Sequence, residues 1–64
     1  SMYKQLKESI QKLKTGGYGL NEFYRMYGQC QMAYTLKAIT HDEFMKLNHD
    51  VMADGINNPE YIHR

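Results

Sequence analysis

Cysteine is almost missing from this 64-residue chain: Cys30 stands alone. One thiol excludes an internal disulfide framework, and no Cys/His set is present that supplies a four-ligand structural zinc site. Net charge is equally scarce, since eight Lys/Arg oppose seven Asp/Glu and leave +1. That is too little for a general attraction to nucleic acid or to an acidic membrane. No apolar run approaches the ~20 residues of a membrane span, and the N-terminus lacks the apolar core of a signal peptide, so a cytoplasmic protein is expected. Internal repeats, low-complexity tracts, interdomain linkers and strand-like alternation are absent too.

What is there is enough for a single domain, at the lower edge of what folds alone. A chain this short buries only roughly 60% of the surface that its unfolded form exposes. With disulfides and zinc excluded, the remaining sources of stability are good helix packing or burial against a second chain. Ser1 ahead of Met2 reads as a scar of tag removal, with Met2 as the start.

From Met2 to Lys14, apolar Tyr3, Leu6, Ile10 and Leu13 recur at the three-and-four spacing that lines one side of a helix. The first helix is expected over 2–14, ending at Thr15-Gly16-Gly17-Tyr18-Gly19, where the glycines break it. A second helix is expected over 22–37, with Asn21 as its N-cap and Glu22 in its first turn. Its stripe is Phe23, Met26, Tyr27, Cys30, Ala33 and Tyr34, interrupted by Gly28 at a cost near ~1 kcal/mol relative to Ala.

Thr40-His41-Asp42-Glu43 reads as a capping box, with Ile39 and Phe44 as its hydrophobic staple. A third helix is therefore expected over 41–53, burying Phe44, Leu47 and Val51, with Gly55 as a left-handed cap. The last residues, 56–64, have the chemistry of a turn. The fold class is all-α: three short helices in a small bundle, helix 2 central, which a second copy of the chain can complete.

No catalytic machinery is recognisable, so an enzyme is not expected. The Gly-rich stretch lacks the Gly-Lys-Ser/Thr of a phosphate loop and reads as a helix connector. His41, His49 and His63 are not spaced to put two imidazoles on one helical face, so no metal is expected. Cys30 falls within the apolar stripe of helix 2 and reads as a small buried hydrophobe rather than a nucleophile. Neither a cofactor nor a small-molecule substrate is implied.

Helix 2, its tight connection and helix 3 have about the lengths of a helix-turn-helix, but the second helix would bring Asp42 and Glu43 toward the phosphates. The basic residues gather elsewhere. Residues 1–27 carry five basic and two acidic side chains, whereas 28–64 carry three and five. A nucleic-acid surface, the alternative reading, would use Lys4, Lys7 and Lys14 on helix 1, with Arg25 added. The bland reading is a solvated polar face with lysine stems packed along it.

The stretch Lys37 to Leu47 resembles a pattern in short bacterial and phage proteins: a small or apolar residue, Ile-Thr, two polar residues, Glu, an aromatic, and Leu or Ile three later. SHOCT-type short C-terminal domains and XkdX-like small proteins of phage tail regions both carry it. The likeness covers eleven residues, and Ala38 stands where those families usually have glycine. It implies a small accessory protein of a Gram-positive bacterium or its phage, and carries over no functional residue.

The remaining signal is apolar excess on helix 2. Met32 and Leu36 lie four apart on the side opposite its stripe, with Tyr24 between the two sides. Met45 and Met52, one heptad apart on helix 3, add a flexible apolar edge. A helix that is apolar nearly all round must be covered nearly all round. Tyr24, Met32, Leu36, Met45 and Met52 are thus the expected protein-interaction residues, for a homodimer or for a larger protein that this chain scaffolds or inhibits. The opposite charges of the first and third segments, +3 over 2–14 and −3 over 40–54, should also draw those two helices together.

Overall fold

The computed structural model of the chain describes residues 1–16 and 18–52. They form three helices: α1 (Met2–Thr15), α2 (Leu20–Thr35) and α3 (His41–Val51). Each packs on the other two. The start of α1 lies beside the end of α2, since Met2 and Leu6 share a depression with Ala33 and Leu36. Tyr3 and Lys7 also share a groove with Met45 and His49, so the first half of α1 lies beside α3.

The expected apolar stripes meet in one core. Leu6 and Ile10 come from α1, Phe23, Met26, Cys30 and Ala33 from α2, Ile39 from the connection, and Leu47 and Val51 from α3. Tyr3, Leu13, Tyr27 and Phe44 pack around them, half-buried. Helix α2 is central in that it supplies the largest share of the core. No polar or charged residue is buried among the described residues. The core is held by apolar burial alone, at ~1.5–3 kcal/mol for each large side chain.

The helix boundaries follow from identifiable caps. Ser1, set aside in the sequence as a scar, is the N-cap of α1: its Oγ accepts from the Lys4 N–H at 3.3 Å and its carbonyl from Gln5 at 3.1 Å. Helix α2 starts two residues earlier than expected, because extended Gly19 and not Asn21 is its N-cap. Asn21 makes no capping bond there, whereas Glu22 keeps its place in the first turn. The end of α2 also moves, from Lys37 to Thr35. Lys37 turns left-handed (φ 61°), so that its N–H reaches the Tyr34 carbonyl and the Ala38 N–H reaches that of Ala33. This is the paired bonding of a Schellman ending, with Lys37 where glycine is usual.

The capping box of α3 is present in full. Glu43 N–H donates to Thr40 Oγ1 at 3.1 Å, and Thr40 N–H donates to Glu43 Oε1 at 2.9 Å. The expected end of that helix at Ala53, its cap Gly55 and the tail 56–64 lie outside the described residues.

Candidate protein-interaction surface

Residues 26–36 of α2 and its C-cap contain no charged side chain, although half of the helix circumference faces solvent. A solvated helix face ordinarily carries charge. Here the outward positions are Gly28, Gln29, Gln31, Met32, Thr35 and Leu36, all exposed. Met32 is 58% exposed and Leu36 70%, large apolar side chains left in water by a bundle whose other helices cover the opposite side. The two expected interaction residues on this side are thus uncovered by the described residues.

Two depressions flank Met32. One, of about 260 Å³, is floored by buried Leu6 and Ala33 and walled by Met2, Gln29, Met32 and Leu36. Met2 is 42% exposed and extends the apolar surface onto α1. The other, of about 420 Å³, is lined by Gly28, Gln31, Met32, Tyr34, Thr35 and Phe44. Its far wall is built of aromatic contacts. Tyr34 stacks on Phe44 with ring centres 4.9 Å apart at 12°, Tyr27 meets Phe44 at 6.5 Å, and His41 meets Tyr34 edge-on at 5.7 Å. These contacts tie the end of α2 to the start of α3.

Gly28 shapes the second depression. A Cβ built on it would meet nothing within 4 Å, so no described neighbour requires glycine there. Gly28, Met32 and Leu36 lie on one row at steps of four. Tyr24, one turn before Gly28 and 52% exposed, continues that row.

The five expected interaction residues do not form one patch. Met32 and Leu36 sit together with Tyr24 up the same helix, but Met45 lines a separate groove with Tyr3, Lys7, Lys46, His49 and Asp50 between α1 and α3. Met52, expected on a free edge, is half-buried just past α3. Met2 and Gly28 were missed by the sequence reading. The signal for Gly28 was its place four residues before Met32.

The expected nucleic-acid residues are also divided. Lys4 and Lys7 are exposed along a trough on α1 with Gln11 and Lys12, but Glu8 stands among them. Lys14 is half-buried and has an interaction of its own. Arg25 is exposed on α2, and shares no depression with the lysines of α1 among the described residues.

Other chemistry is sparse. Cys30 is fully buried, and burial pushes its thiol up to about 11, so it stays protonated and unreactive at neutral pH. Among the described residues, no three His, Cys, Asp or Glu side chains are grouped to hold a metal. No helix among them is long and apolar enough to cross a membrane. No protein-family model, curated protein or solved structure matches the chain.

Proposed function

We propose that this chain is a cytoplasmic protein-interaction module that associates with itself, and acts as a scaffold or inhibitor of a larger partner. The observation that carries the reading is the exposure of Met32 and Leu36 along the uncharged stretch 26–36. Apolar surface of this kind, beside two depressions, marks a contact site more often than a solvated face does. The likeness of residues 37–47 to short bacterial and phage proteins suggests such an origin. No enzymatic role, cofactor or small-molecule substrate is proposed.

Sedimentation velocity on the full chain, from low micromolar to near-millimolar concentration, tests self-association. A concentration-dependent dimer is expected, and it should persist in high salt because apolar contact is not screened. A chain that sediments as a monomer throughout would remove the self-association.

Lys4, Lys7 and Lys12 on one exposed trough favour a second reading, nucleic-acid binding by α1. It requires binding of labelled DNA or RNA that weakens steeply with salt. Absence of binding at low ionic strength would end that reading.

A further inference from the structure

We infer that the groove between α1 and α3 takes an acidic segment of the larger partner, with a carboxylate set between Lys7 and Lys46 and an apolar neighbour on Tyr3 and Met45. The inference rests on the reading of the chain as an interaction module. It names the chemistry of the partner, at a surface separate from α2.

The groove is built from helical rows. Tyr3 and Lys7 are one turn apart on α1, Met45 and His49 one turn apart on α3, and Lys46 and Asp50 form the row beside them. The space they line is about 410 Å³, toward the lower end of the ~300–1,000 Å³ of ligand clefts. It suits a short anchor of a few side chains.

The charges in it are unmatched. Lys7 and Lys46 line it from two helices, and neither makes an ion pair within 4 Å of a carboxylate among the described residues. Lys7 Nζ instead lies 5.8 Å from the centre of the Tyr3 ring, which holds the ammonium on the α1 wall. Asp50 follows Lys46 by four residues, the order that pairs less well along a helix, and it too stands without an ion pair among the described residues. Two cations from separate helices attract an anion between them, and such contacts set register and partner choice more than affinity. The apolar part comes from half-buried Tyr3 and from Met45, which is 49% exposed. Met45, one of the expected interaction residues, shares no depression with Met32 and Leu36 among the described residues. Its flexible thioether adapts to apolar side chains of different shape.

The mixture of charges separates a peptide from a nucleic acid. A nucleic-acid backbone is anionic at every step, and would bring phosphates against Asp50 and against Glu8, beside Lys7 in the neighbouring trough. A peptide can set its carboxylate between the lysines and a neutral or basic residue against Asp50.

Amide NMR titration of the full chain tests the inference, with the peptide Gly-Glu-Leu-Glu-Gly as probe and Gly-Gln-Leu-Gln-Gly and a short DNA single strand as rivals. The acidic peptide is expected to bind tightest, with its shifts gathered at residues 3–7 and 45–50. Lys7→Gln and Lys46→Gln should each weaken it about two- to fivefold at low salt, and the difference should close in high salt. Met45→Gln should weaken it at both salt concentrations. All three positions are exposed, and circular dichroism should show each variant as helical as the parent. Leu36→Glu, on the α2 side, should leave the peptide's affinity unchanged. Equal binding of the glutamine peptide, tighter binding of the DNA, or an affinity that the three groove variants leave unchanged overturns the inference. Sedimentation of the chain alone decides self-association separately, so either reading can fail without the other.

Discussion

Among the described residues, Gly28 and Lys37 hold backbone positions that oppose their residue types. Gly28 is exposed in the middle of α2 with open space around it, so Gly28→Ala should stabilise the dilute monomer by about 0.5–1 kcal/mol. Thermal melting at low micromolar concentration measures this as a raised midpoint. A lowered midpoint would mean that the glycine relieves a crowding absent from the structure. Lys37 has the converse problem, a side chain on a left-handed backbone with φ of 61°. Lys37→Gly should stabilise by about 0.5–1 kcal/mol, less than the full left-handed penalty because glycine also frees the unfolded chain. Denaturant titration of the two proteins gives the difference directly.

The three helices differ at the element scale in how well they are started. Helix α3 has a complete reciprocal box, α1 has the single long bond from Ser1, and α2 has no side-chain cap at all. Glu22 partly compensates in α2, since its carboxylate in the first turn lies over the cap, where Oε2 would stand 3.3 Å from a Cβ on Gly19. Capping therefore matters most at the start of α3. Thr40→Ala should cost about 1 kcal/mol, and Thr40→Ser should restore most of it. Urea unfolding of the pair checks this. If the alanine variant unfolds like the parent, the box contributes nothing beyond what water supplies in its place. The glycine connector sets the stop of α1: a Cβ on Gly16 would fall 2.9 Å from the Lys12 carbonyl and collide with the Tyr18 ring.

For the whole molecule, the attraction expected between α1 and α3 is not carried by the exposed lysines of α1 as close ion pairs. Lys4, Lys7 and Lys12 make no ion pair within 4 Å of a carboxylate among the described residues. What remains is the average field of a basic helix beside one bearing Asp42, Glu43 and Asp50, screened by solvent. Lys4→Glu with Lys7→Glu should thus lower stability by less than ~1 kcal/mol at low salt, with the loss disappearing in high salt. Melting at two ionic strengths reads both quantities. A large loss that survives high salt would place the lysine stems, rather than their charges, in the packing. The apolar core is far less tolerant. Ile10, Phe23, Leu47 and Val51 are fully buried with no disulfide or polar network behind them.

The sequence by itself determined what local chemistry and helical period can determine. The stripe on each helix, the glycine stop after α1, the capping box at Thr40 and the burial of Cys30 all follow from residues a turn or less apart, and all are found in the fold. Local signals failed where two compete. Asn21 and Gly19 both suit an N-cap, and extended Gly19 takes that place. Lys37 falls within the expected second helix, but carrying Ile39 into the core and Thr40 to a new cap requires the chain to reverse there. Only the tertiary structure decided which apolar residues stay outside. Met32, Leu36, Met45 and Met52 are alike by periodicity, but two share a ridge on α2, one lies in a groove between α1 and α3, and one is half-buried. Exposure depends on where the neighbouring helices lie, a long-range arrangement that no spacing within one helix encodes. The gap at Gly28 likewise exists only because neither α1 nor α3 crosses that face.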